Sequence, residues 1–363
     1  MMYGQRNFGL DLFRFCAIFL VLLSHTRHLF SWIQTDSWNW WYLSVGGYLG
    51  VELFFVLSGF LIGRILISKV LFRKTNLWRA LGTFWVRRWL RTLPLYYLVL
   101  FLTYIAASYL SGAENASWLH VVFLQNFSDS ALGFLPVSWS LSVEEWFYLT
   151  VPLLLLMVVH NRSQQAIFYG IVGGIVIIFT VRLLAVFFHA DLSWGEVRKS
   201  IFLRFDSLLV GVLWAFLSIH CKAIYQTLSG FPAMLLGSFL LGGLISYYFL
   251  LQDAGLNQGF FAKTGFFVVT SLVLLPLLGF AQLHIHGQSR VITLGSQFSY
   301  GIYLIHFQFL PYFVSLSHGS KNILLSIVYL CIYLAVVVWL AFLLYRYFEF
   351  PIMQWRENIS PDN

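Results

Sequence analysis

About ten stretches of roughly twenty apolar residues follow one another along this chain, and that succession limits the possible folds more than any single motif. They run over 8–30, 47–68, 92–112, 142–160, 166–189, 205–220, 232–251, 265–283, 298–316 and 323–345. A helix of that length matches the hydrocarbon thickness of a bilayer, where each backbone amide must be satisfied within its own segment. Only 10% of the 363 residues are charged, against about a quarter in a soluble domain. The expectation is an all-α polytopic membrane protein of about ten transmembrane helices. The first run leads straight into further apolar segments without a small-residue cleavage site, so it reads as a retained helix. The run at 205–220 is short enough to be partly re-entrant.

The net charge of +8 is unevenly placed. Lys69, Arg73, Lys74, Arg79, Arg87, Arg88 and Arg91 follow the second run with no acid among them. Basic residues crowded between two spans mark the cytoplasmic side, which places both the N-terminus and the C-terminus in the cytoplasm. A topological role for these charges argues against nucleic acid as a partner. Most acids then fall outside, among them Asp36, Glu114, Glu144, Glu145 and Asp206. The stretch 113–141, with its "WLHVVFLQNF", is too amphipathic to span and belongs at the membrane interface. Residues 1–350 read as one transmembrane domain and 351–363 as a short cytoplasmic tail. The cysteines Cys16, Cys221 and Cys331 have no zinc-site or disulfide spacing and read as buried, inert thiols.

Ionisable groups inside a span are costly and by default functional. In "LDLFRFCAIFLVLLSH", Arg14 and His25 are eleven positions apart. At 100° per residue that is within about 20° of three full turns, so both lie on one face, roughly 16 Å apart along the helix. Asp11 and His28 extend the same stripe by a turn at either end. Two readings stand: Asp11 and Arg14 form a structural pair while His25 meets outer water, or the stripe lines a path across the bilayer. Glu52, Glu144, Glu145, Arg204 and Asp206 all begin helices at the outer level of His25. A carboxylate beside an imidazole fixes its tautomer and raises its basicity, although acids also favour helix N-termini for the dipole alone. Arg88 and Arg91, one turn apart ahead of Pro94, suit a phosphate or pyrophosphate as well as they suit a topological role. In "SYGIYLIH" the ninth helix, taken to start at 298, rises from the inner side, which places Tyr303 and His306 in the inner half. A lone helical histidine can also be hydrogen-bonded core.

With these residues laid out, the sequence resembles the acyltransferase 3 family of integral-membrane O-acyltransferases. The family's arginine, ten residues, then histidine is matched by Arg14 and His25. Its "GVDLFFVLSGFLI" stands here as "GVELFFVLSGFLI", with Glu52 for Asp. The Arg-x-x-Arg-x-x-Pro-x-Tyr element matches Arg88, Arg91, Pro94 and Tyr96. "WSLSVEEQFYL" stands as "WSLSVEEWFYL", with Trp146 for Gln and Glu144 as the glutamate the pattern points to. Arg204, Asp206, Leu208 and Gly211 match a fifth element, and Ser299, Tyr300, Tyr303, Leu304 and His306 a sixth. Glu for Asp keeps the charge with one more methylene; Trp for Gln removes an amide and bears on acceptor contacts.

The resemblance implies a bacterial cell-membrane enzyme. It would move an acyl group, acetyl above all, from cytoplasmic acyl-CoA to a hydroxyl of an extracytoplasmic carbohydrate or glycolipid. It implies catalytic roles for His25, Glu144, Arg14 and Glu52. Contacts to acetyl-CoA, a co-substrate, fall to Arg14, Arg88, Arg91, Tyr96, Tyr303 and His306. A thioester is reactive enough to need no metal, and none is expected. Some relatives carry a fused extracytoplasmic SGNH-type esterase domain; the expectation here is a chain acting alone or with a separate partner. A transporter or channel would also need a polar stripe but no acyl-CoA. A polyprenol-dependent glycosyltransferase would need a large outer loop or metal-binding acids.

Overall fold

In a computed structural model, the structure describes residues 6–33, 40–71, 76–110, 117–158 and 163–359, and these are almost wholly helical with no strand among them. Asp36, Arg73, Lys74 and Glu114 lie outside the described residues. Ten long helices follow in order: α1 (Phe8–Thr26), α2 (Ser44–Ile65), α3 (Leu77–Leu110), α4 (Trp139–Val158) and α5 (Gln164–Phe188), then α6 (Phe205–His220), α7 (Phe231–Gln258), α8 (Gly265–His284), α9 (Arg290–Ser320) and α10 (Ile323–Leu344).

Among the described residues, nine helical segments are long and apolar enough to cross a membrane. The difference from the expected ten is α9. It has 31 residues, ample length at 1.5 Å each. It also carries Ser296, Gln297, Ser299, His306 and Gln308, and it buries Ser296, Ser299 and His306 against protein. Polar groups cost least where neighbouring helices shield them.

The chain forms two compact units: Met1–Arg14, Val51–Trp85 and Ser140–Ser289 make one, and Phe15–Gly50, Val86–Trp139 and Arg290–Asn363 the other. In the first, α2 and α6 cross at glycines. A Cβ at Gly59 would stand 2.0 Å from the Leu208 carbonyl oxygen, and one at Gly211 2.3 Å from that of Val56. Without a hydrophobic force between helices in lipid, such close backbone approach is what holds them. Phe55 and Phe60 of α2 and Leu208 and Val212 of α6 are fully buried. Between α5 and α6, Ser193 caps the short helix Trp194–Lys199, and Glu196 reciprocates by accepting from the Ser193 amide at 2.7 Å.

In the second unit, Gly50 lets α2 press on α1, where a Cβ would meet the Ala17 carbonyl oxygen at 2.6 Å. The segment 117–138 is a chain of short helical turns, not a spanning helix. Its backbone is pinned from α3 by the hydroxyls of Tyr96, donating to His120 O at 2.9 Å, and Tyr97, donating to Val121 O at 2.8 Å. The cysteines differ from expectation. Cys16 and Cys331 are exposed and Cys221 half-buried, because an apolar helix facing lipid keeps a thiol at its surface as readily as in its core.

Candidate active site

Each unit collects ionisable groups, and the two collections differ in kind. In the second unit, His25 near the end of α1 meets His306 in the middle of α9. His25 Nδ1 lies 2.8 Å from His306 Nε2, with the ring planes 19° apart and the centroids 5.0 Å apart. Phe307 closes the other side of His25, edge-on at 5.2 Å. His306 is fully buried, whereas His25 is half-buried. A contact this short sets the two rings at one depth, which corrects their assignment to opposite halves of the bilayer. The ninth helix begins at Arg290, eight residues before the expected start, so His306 sits about 24 Å along it at 1.5 Å per residue.

The two tyrosines grouped with the acyl donor by resemblance spend their hydroxyls on backbone. Tyr303 donates to Val137 O at 3.1 Å, as Tyr96 does to His120 O. Both are buried, and both tie the 117–138 segment to long helices. On α3, Arg88 is half-buried and Arg91 exposed. Their neighbour Arg87 clasps Glu357 with both carboxylate oxygens at 2.8 Å, so the three arginines of this turn are not equivalent.

In the first unit, Arg14 is half-buried, and Asp11 receives the fork of Arg6 at 2.8 and 2.9 Å. Glu52 is enclosed. Arg204 donates to one of its oxygens, and Ser207 and Ser271 donate to the other at 3.0 and 3.3 Å. The Arg204 guanidinium also lies 4.1 Å from the centroid of the Phe267 ring. Beside this pair, Arg182 and Asp206 meet at 2.7 Å with both side chains fully buried.

Glu144 is placed otherwise. It is half-buried, accepts from Tyr148 Oη at 2.6 Å, one turn on along α4, and is reached by Ser58 Oγ of α2 at 3.4 Å. Ser58 and Tyr148 are themselves hydrogen-bonded. Neither hydroxyl was singled out from sequence, although both stand inside matched motifs, and the i, i+4 spacing of Glu144 and Tyr148 was the readable sign. Trp146, the departure from the family's Gln, packs edge-on against Phe202 at 6.4 Å. Among the described residues, no group of three or more His, Cys, Asp or Glu side chains is placed to hold a metal ion.

A half-exposed imidazole backed by a buried hydrogen-bond partner is an arrangement for moving a proton. Comparison with known proteins agrees with acyl-group chemistry. Residues 7–346 match the family model described as "Acyltransferase domain", of the acyltransferase 3 type. The protein "Putative O-acetyltransferase SAR0937" of Staphylococcus aureus (strain MRSA252) is 25% identical over 388 residues, covering 97% of this chain and 59% of the relative. "O-acetyltransferase OatA" of Staphylococcus aureus (strain NCTC 8325 / PS 47) is 26% identical over 381 residues, covering 97% of this chain and 58% of the relative. The chain thus spans under three-fifths of the length of these curated relatives. No solved structure matches. With its family model covering nearly the whole length, the chain belongs to the acyltransferase 3 family.

Proposed function

We propose that this protein is a membrane O-acetyltransferase that takes an acetyl group from acetyl-CoA on the cytoplasmic side and esterifies a hydroxyl of an extracytoplasmic carbohydrate. The observation that carries the reading is the His25–His306 pair within a family-matched chain. The names of the relatives support acetyl as the group moved, and the one-sided basic segment around α3 supports cytoplasmic termini and entry of an anionic donor there.

His25 is the general base. It takes the proton of the acceptor hydroxyl as that oxygen attacks the thioester carbonyl, and the C–S bond breaks as the tetrahedral adduct collapses. The proton on His25 passes to the departing sulfur, so that alcohol and thioester become ester and free thiol. Arg88 and Arg91 hold the nucleotide phosphates by charge-assisted hydrogen bonds, and Arg14 guides the thioester arm. Glu144, half-exposed and organised by Tyr148 and Ser58, is the acid of the first unit assigned to catalysis. Glu52, filled by Arg204 and two serines, is assigned to holding α2, α6 and α8 together. Tyr96 and Tyr303 shape the donor site through the segment they anchor.

Mass spectrometry of surface glycans from a bacterial host with and without the protein tests this. Acetyl esters present only with the protein, and absent with His25→Ala, are expected. Identical glycans in all three would overturn the reading.

A further inference from the structure

The hydrogen bonds of His306 fix more than its own position. Its Nδ1 lies 2.8 Å from Tyr303 O and 3.1 Å from Ile302 O. Carbonyl oxygens only accept, so Nδ1 carries a proton, and the neutral ring then offers a lone pair at Nε2. His25 Nδ1 stands 2.8 Å from that lone pair and must donate to it. In the neutral His25 ring the lone pair is therefore on Nε2. Two backbone carbonyls of α9 thus dictate, through one imidazole, which nitrogen of a second imidazole is basic.

His306 is also held from behind. Tyr333 of α10, fully buried, donates to the His306 carbonyl oxygen at 2.9 Å. The ring has no exposed surface, so substrate reaches His25 and not His306. We propose that His306 is the positioning residue of the reaction. It selects the His25 tautomer whose Nε2 accepts the proton of the hydroxyl, and it keeps the Nδ1 hydrogen bond when His25 becomes an imidazolium. The role falls to a neutral imidazole where many hydrolytic sites use a carboxylate. It rests on the reading of His25 as base, and it separates His306 from the donor-binding residues.

Two variants and one spectroscopic signature test it. In His306→Leu the acceptor for His25 Nδ1 is lost; in His306→Gln the amide oxygen can supply it. The probe is radiolabelled acetyl-CoA with membrane vesicles of the host as source of acceptor. His306→Leu is expected to lower kcat on the order of 10²-fold or more with the KM for acetyl-CoA unchanged, and His306→Gln to recover most of that loss. Nitrogen NMR of histidine-labelled wild-type protein in detergent should show His25 protonated on Nδ1 and bare on Nε2, and His306→Leu should lose that preference.

A raised KM with unchanged kcat in His306→Leu would return His306 to donor binding and overturn the proposal. A proton on His25 Nε2 in the neutral wild-type protein would do so without any variant, which covers the case in which His306→Leu does not fold. Full turnover in His25→Ala would instead remove the base reading while the NMR signature still reported on the pair.

Discussion

In the first unit Glu52 and Asp206 are enclosed, each against an arginine that is itself buried; in the second, a half-exposed histidine meets a buried one through a single hydrogen bond. All of these groups stand in apolar helices, and the cost of burying charge marks each as exceptional. The difference lies in what remains to be done with them. Glu52 has both oxygens occupied by an arginine and two hydroxyls, and its pair is closed. Such a pair adds little net stability over well-packed apolar residues, but removing one member leaves an uncompensated charge. His25 hydrogen-bonds its histidine partner, packs edge-on against Phe307 and remains half-exposed. Cost alone does not identify a catalytic residue. Exposure beside a hydrogen-bonded partner is what sets His25 apart from the enclosed pairs.

The largest effects follow from opening the closed pairs. Arg204→Ala and Glu52→Ala should each destabilise the folded protein by about 3–5 kcal/mol, read as loss of folded material and a lowered Tm in detergent. A Glu52→Leu, Arg204→Met double variant should regain most of that stability. If instead the double variant is as unstable as the singles, the pair supplies more than mutual neutralisation. If Glu52→Ala folds normally and loses only turnover, the contrast between the two units fails.

Glu144→Gln is the next step down. It preserves shape and the hydrogen bond from Tyr148 while removing the charge, and kcat should fall on the order of 10²-fold with Tm nearly constant. An unchanged kcat would move Glu144 into the same structural class as Glu52. On α3, Arg88→Ala and Arg91→Ala should each raise the KM for acetyl-CoA about tenfold, the worth of one phosphate contact. Arg87, already committed to Glu357, should tolerate Ala with little change in KM. Equal effects at all three positions would mean a diffuse field and not a phosphate site. The smallest effect is at Ser193. Loss of its cap on Trp194–Lys199 should cost about 1 kcal/mol, visible in Tm and absent from turnover.

The succession of helices was legible in the sequence because spans of this length leave an unmistakable apolar run. The six motifs likewise delivered most of the ionisable residues that the structure gathers. Partnership was less legible. Glu52 and Arg204 are 152 positions apart, and no local pattern says that one neutralises the other. The early start of α9 was hidden because "RVITLGSQ" mixes polar and apolar residues and reads as a loop, although it begins a helix. That eight-residue error separated His306 from His25 in depth and concealed their pairing. The apolar count favoured ten spans where nine described segments are long and apolar enough, because α9 sets Ser296, Gln297, Ser299, His306 and Gln308 among its apolar residues.

The central claim is that His25 does the chemistry and is not needed to hold the donor or the fold. Its most direct test is acetyl-CoA binding to purified His25→Ala in detergent, measured beside acetyl transfer by the same preparation. The expected result is donor affinity within about twofold of the parent with transfer reduced at least 10³-fold. Transfer retained at the parental rate by correctly folded His25→Ala would contradict it.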